Sequence, residues 1–220
     1  MWTRTDVGYV PEVPVARSPI RPRPPVGVRD GWEVSLLRSR AGLRLADCTP
    51  LTKVLVRASA GGGVALSLGV PFGQAVADRH GTLVVGSGPG EWLLLARPNS
   101  LQAVTSQLDT SDDDLVSVVD VTHGRALMRL TGADAHQVLA KLCAIDLASA
   151  TSDGTALRSS VAGVVTDVIR DDVRSTKECS YLLHCERSSG QYLFDAMLDA
   201  GREFDVHVDG GLFDDVSPQR

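Results

Sequence analysis

Between Arg125 and Leu198 the spacing of the apolar residues switches from two to about 3.6 and back, which limits this stretch to sheet with helices laid on it. Arg125-Ala-Leu-Met-Arg-Leu130 alternates as a half-buried strand does, putting Ala126, Met128 and Leu130 on one face. Ala135, Val138, Leu139 and Leu142 then recur at helical spacing. Thr131 is placed to cap that helix, with Asp134 near its positive end. Residues 162–169 and 180–185 read as a strand pair. Ser188-Ser-Gly-Gln191 has the form of a capping box, opening a helix that carries Leu193, Phe194, Met197 and Leu198 on one side and stops at Gly201. The order is strand, helix, strand, strand, helix.

A second, weaker copy precedes it. Residues 51–57 are β-branched, alternating and closed by Gly61-Gly-Gly63. Residues 82–85 and 91–96 read as strands around a glycine-proline turn, and Asn99-Ser-Leu-Gln102 as another capping box, with Leu101, Val104 and Leu108 on the helix face. Residues 64–81 show only a weak pattern, read as loop with one short element. Lys53-Val-Leu-Val-Arg57 aligns with Arg125-Ala-Leu-Met-Arg129, and the run from Glu91 aligns with the run from Ser180. The expected fold is α+β, two split β-α-β-like modules whose antiparallel-rich sheets are covered by helices. The modules are read as 32–115 and 116–208, with a tail at 209–220.

Residues 1–31 differ in kind, holding six of the eleven prolines together with Arg17, Arg21, Arg23 and Arg29. Such a run favours extended backbone over helix or inner strand. Two readings stand, a plain tail or an arm laid along a partner subunit. No apolar run approaches the ~18 residues of a membrane span, and no N-terminal apolar segment reads as a signal peptide. The four cysteines, Cys48, Cys143, Cys179 and Cys185, form no Cys-x-x-Cys pair, as expected of reduced thiols in a cytoplasmic protein. A net charge of -5 argues against bulk attraction to nucleic acid or anionic membrane.

Three motifs read as ordinary structure. Gly86-Ser-Gly-Pro-Gly90 is followed by strand rather than helix, and Pro89 removes a donor, so a hairpin turn outweighs a phosphate loop. Asp109-Thr-Ser-Asp-Asp-Asp-Leu lacks the glycine and the twelfth-position glutamate of a calcium loop. Asp120 and His123 read as closing a turn ahead of a strand. The five histidines show no metal spacing and no Gly-x-Ser-x-Gly elbow exists, so neither catalytic nor metal residues are expected.

Asp120-Val-Thr-His-Gly-Arg followed by Gly132-Ala-Asp-Ala resembles the opening of folate-binding aminomethyltransferase domains of the glycine-cleavage T-protein type. Asp47-Cys-Thr-Pro-Leu-Thr-Lys53, Gly88-Pro-Gly-Glu-Trp-Leu-Leu-Leu95, Asp120 to Leu130, and Tyr181 to Leu198 with Arg187-Ser188 are similar, in that order, to the gamma-subunit family of bacterial heterotetrameric sarcosine oxidases. The resemblance covers about residues 43 to 206. It implies a non-catalytic subunit of a complex oxidising sarcosine to glycine, with FAD, FMN, NAD, tetrahydrofolate and zinc held by the alpha, beta and delta partners. This chain would pack chiefly on alpha. In the transferases two consecutive aspartates follow a glycine-rich turn, and one works at the reactive folate nitrogen. Here Thr166 replaces the first and Asp167 remains, which the resemblance implies is the remnant of a folate site. Arg17, Arg21, Arg23 and Trp92 are the expected partner contacts. A folate-dependent aminomethyl or methyl transferase remains an alternative. So does a folate-binding iron-sulfur repair protein, although Lys177-Glu-Cys-Ser-Tyr181 lacks that family's Gly and Gln.

Overall fold

A computed structural model describes residues 14–59, 61–108 and 115–210. In chain order the elements begin with strands β1 (Ala16–Arg17), β2 (Val26–Arg29), β3 (Trp32–Ser35), β4 (Leu43–Asp47) and β5 (Thr52–Ala58). Helix α1 (Gly63–Leu68), strands β6 (Ala75–Ala77), β7 (Leu83–Gly88) and β8 (Glu91–Ala96), and helix α2 (Leu101–Thr105) follow. The second half holds β9 (Val116–Asp120), β10 (Arg125–Gly132), α3 (Ala135–Ala140), α4 (Leu147–Ala150), β11 (Ala156–Val161) and β12 (Val164–Arg170). It ends with β13 (Ser180–Glu186), α5 (Gly190–Ala200) and β14 (His207–Asp209). The fold is α+β.

Two sheets face one another, one ordered β6-β7-β8-β5-β9 and the other β11-β12-β13-β10-β4-β14. Their inner faces meet over Leu51, Leu93, Leu95, Leu127, Ile169 and Leu182, all but excluded from water. Burying each such side chain contributes roughly 1.5–3 kcal/mol. The outer face of the first sheet carries α1 and α2 over Val54, Val56, Val84 and Leu94. The outer face of the second carries α3, α4 and α5 over Met128, Leu130, Tyr181 and Leu183. Alternation along β10 therefore fills both faces, with Ala126, Met128 and Leu130 under the helices and Leu127 between the sheets.

The two modules exchange strands. β4, ahead of the first copy, pairs with β10 of the second, while β9, ahead of the second, pairs with β5 of the first. Both sheets thus cross the expected 115/116 boundary. Hydrogen bonds seal the exchange reciprocally. Thr49 accepts from the Leu127 N–H at 3.2 Å and donates to its carbonyl at 3.3 Å. Thr122 accepts from the Lys53 N–H at 3.0 Å and lies 3.5 Å from its carbonyl oxygen. Each threonine N–H is in turn held, at 2.9 Å, by the carboxylate two residues earlier, Asp47 or Asp120. Lys53 therefore corresponds to Leu127. The sequence alignment of Lys53 with Arg125 was two residues out of register, a shift that period-two alternation does not reveal.

Residues 14–31 are not a plain tail. β2 and β3 form a hairpin across the expected 31/32 boundary, and β1 pairs with β3. Ile20, 2 % exposed, enters the core beside Phe194, the Arg21 N–H donates to Gln191 Oε1 at 2.7 Å, and Arg187 donates to the Arg17 carbonyl at 2.7 Å. Residues 1–13 lie outside the described residues. The weakly patterned stretch 64–81 holds two elements, α1 and β6.

None of the expected capping boxes forms. Thr131 lies inside β10, its hydroxyl 3.1 Å from that of Ser180, and Asp134 stands at the N-cap without a side-chain cap bond. Gln191 is taken by Arg21, and Ser189 rather than Ser188 caps α5, also without a side-chain bond. Asn99 has φ 61° and donates to the Asp30 carbonyl at 3.1 Å, leaving Ser100 at the N-cap of α2, again without a side-chain cap bond. Short helices packed on a sheet take their stability from burial, and the terminal polar groups are free to make tertiary bonds.

Candidate functional site

Where the two sheets splay apart, a polar cleft of about 230 Å³ opens between β5, β7 and β8 on one side and β10 to β13 on the other. Antiparallel register builds its floor. Asp167 on β12 lies opposite Arg158 on β11 and opposite His184 on β13, so three side chains on three adjacent strands share one face. Arg158 Nε donates to Asp167 Oδ1 at 2.6 Å, and His184 Nδ1 lies 2.9 Å from Asp167 Oδ2. Arg158 also reaches Glu91 of the first sheet at 3.6 Å, and Arg57 closes on the same carboxylate at 2.8 Å. Arg125 and Glu186 pair at 2.6 Å on the opposite rim.

Burial lowers the His184 pKa and outweighs the upward pull of Asp167, so the ring is neutral, with Nδ1–H donating to the carboxylate. Nε2 is buried and finds no partner among the described residues. Burial pushes Asp167 up, but the hydrogen bonds from His184 and Arg158 prevail and hold it below the usual carboxylate range. A neutral imidazole oriented by a carboxylate is the geometry of a general base. Here the carboxylate is also committed to a guanidinium, and its two oxygens have one partner each.

Thr166 does not share the cleft. Alternation turns it to the opposite face of β12, where it is fully buried and donates to the Val164 carbonyl at 3.0 Å. Trp92, expected at a partner surface, is 7 % exposed and donates from Nε1 to the Val70 carbonyl at 2.8 Å, which makes it a core residue. Arg17 pairs with Glu33 at 3.3 Å. Arg21 and Arg23 are exposed and make no ion pair among the described residues. Arg158, Glu91 and His184 were not read as site residues from sequence, because only cross-strand register brings them to Asp167.

The other motifs resolve as turns. Pro89-Gly90 joins β7 to β8, with Gly90 at φ 67° and a Cβ there 2.6 Å from the Ala58 carbonyl. Asp120 caps the turn after β9, and His123 stacks on Trp32 with ring centroids 4.7 Å apart. The acidic run at 109–114 lies outside the described residues. Among the described residues no three His, Cys, Asp or Glu side chains gather as a metal site, and all four cysteines are free thiols. Among the described residues no helix is long and apolar enough to cross a membrane.

Comparison with solved structures finds a chain of the heterotetrameric sarcosine oxidase from Corynebacterium sp. U-96, solved in complex with pyrrole 2-carboxylate. It is 25 % identical, with TM-score 0.62, over 77 % of this chain and 89 % of that one. The glycine cleavage system aminomethyltransferase T from Bartonella henselae shares the fold at 17 % identity and TM-score 0.60, over 84 % of this chain and 55 % of that one. Among curated protein sequences nothing matches. The family model for the GCVT N-terminal domain matches residues 82–211, more than half of the chain. That match runs from β7 through both strands bearing Asp167 and His184 to the end of β14, and it places the chain in the GCVT N-terminal domain family.

Proposed function

We propose that this chain is a non-catalytic, gamma-type subunit of a heterotetrameric sarcosine oxidase, packing chiefly on the alpha subunit and stabilising it. In this reading FAD, FMN, NAD, tetrahydrofolate and zinc belong to the alpha, beta and delta partners. The complex is cytoplasmic. The observation that carries the proposal is the state of Asp167, whose two oxygens are taken by Arg158 and His184. The residues present do not fit tetrahydrofolate in a transfer reaction. Thr166 faces away, and the cleft lies below the roughly 300–1,000 Å³ of most small-molecule sites. The match over 89 % of an oxidase chain, against 55 % of the aminomethyltransferase, supports the same reading. Exposed Arg21 and Arg23 on the docked N-terminal segment supply a basic face for the partner.

Co-expression with two flavoprotein subunits and a short cysteine-rich one is expected to give a co-purifying complex. The chain alone should be colourless and inactive on sarcosine. A flavin band that stays with the isolated chain through gel filtration would overturn the proposal. Calorimetry with tetrahydrofolate is expected to show no micromolar binding. Asp167→Asn should leave turnover of the complex unchanged, at a cost of about 1–3 kcal/mol in stability from charge-assisted hydrogen bonds. Micromolar folate binding that is lost in Asp167→Asn would establish a transferase instead.

A further inference from the structure

Because the two sheets are copies, each is a control for the other, and one difference between them is at an edge. β9 and β4 correspond. Asp120 pairs with Val54 as Asp47 pairs with Met128, and each aspartate holds the threonine that seals the exchange. On β4 the outer edge is occupied, since β14 lies parallel to it with His207, Val208 and Asp209 opposite Arg44, Leu45 and Ala46. Leu45 and Ala46 are 0 % and 4 % exposed. The outer edge of β9 takes no strand among the described residues, and Val118 and Val119 are 37 % and 45 % exposed.

Open edges are normally protected by lysine, proline or a bulge. β9 reads Val-Ser-Val-Val-Asp and pairs with β5 over five residues without a break in register. Three of the other terminal strands are treated differently. β2 follows Pro24-Pro25 and carries Arg29. β6 and β11 are tied together by the Gln74–Thr155 bridge. Among these edges β9 is the one that is apolar and regular with neither a proline before it nor a tie to another edge strand.

We propose that the outer edge of β9 is the docking site for an extended segment of a different subunit, running parallel to β9 as β14 runs along β4. This rests on the accessory-subunit reading above. The segment would pair with residues 117–119 and set an apolar side chain in the place that Val208 holds opposite Leu45. Its chemistry follows from the edge, whose one charge, Asp120, lies at the end, so the three central positions of the segment are uncharged. A second copy fits less well. Two β9 strands paired antiparallel about Val118 would set each Asp120 against the other copy's Val116.

The test uses the full chain, free and co-expressed with the flavoprotein and cysteine-rich subunits. The amides of residues 116–120 are expected to exchange at least about tenfold more slowly in the complex. Val118→Lys should cut recovery of the complex by about tenfold while the free chain unfolds within a few degrees of wild type. Val118→Thr, and Val28→Lys on β2, should assemble normally. A complex whose β9 amides exchange as in the free chain, or that tolerates Val118→Lys, overturns the docking site and leaves the accessory reading intact. Failure of the wild-type chain to assemble at all overturns both. Concentration-dependent self-association that protects the same amides also overturns it, assigning the edge to a second copy.

Discussion

Raising the pH from 7 to 9 is expected to make the folded chain more stable relative to Lys53→Met by on the order of 2 kcal/mol. Lys53 is wholly buried between the modules, and its ammonium donates to the Thr49 and Leu51 carbonyls at 2.6 and 2.8 Å. Burial, only partly offset by Asp47, lowers its pKa to about 7. In the unfolded chain the amine keeps its proton to about pH 10.4. Between these values the unfolded state binds more protons, so stability rises with pH through this window and is flat below it. Above about pH 8.5 the buried thiols Cys48 and Cys185, pushed up to about 12 and about 11, act in the opposite sense, because they ionise only on unfolding. Comparison with Lys53→Met cancels the thiol contribution. Urea denaturation of both proteins at half-unit pH steps measures the difference. A constant difference from pH 7 to 9 would mean that Lys53 titrates normally and that water reaches it.

Lys53 also shows what sequence could and could not disclose. The strand around it was legible, because Val54, Leu55 and Val56 are β-branched or apolar and alternate with the polar ends. Its burial was not legible, since a lysine at the start of a strand ordinarily reads as solvated. Leu127, its counterpart, is the residue expected there. The exchange of β4 and β9 was equally hidden. Both strands are five residues long, and their partners lie on opposite sides of the repeat boundary, so local pattern carries no information about which sheet they join. Asp167 was legible as a carboxylate on a strand after a glycine turn. That both its oxygens would be occupied was not, because Arg158 and His184 reach it through register. The helix caps failed for a related reason. Thr131, Gln191 and Asn99 each have a local bond available and make a tertiary one.

The same logic predicts a strongly damaging polar substitution. Arg129, 2 % exposed, corresponds to Leu55 of the first copy and stands on β10 between the sheets. Nη1 donates to the Asp171 carbonyl at 3.0 Å and to Ser180 Oγ at 2.9 Å, and Nη2 pairs with the Asp171 carboxylate. The guanidinium thereby ties β10 to the segment leaving β12, across the intervening strand β13. Its Nε–H is buried without a partner among the described residues, so the group is not optimally solvated by the protein. Removing it exposes a larger problem. Arg129→Ala leaves the Asp171 carboxylate and the fully buried Ser180 hydroxyl short of a donor and opens a void beside Cys48. The expected loss is about 3–5 kcal/mol. Asp171→Asn should cost less, because Asp171 keeps some contact with water. Combining Arg129→Met with Asp171→Asn removes both charges and keeps the volume, so the double variant should be more stable than the sum of its singles by about 1–3 kcal/mol. Guanidinium denaturation of the four proteins closes the cycle. Additivity within about 0.5 kcal/mol would show that the pair is screened by solvent and that the two strands are held by their apolar faces alone.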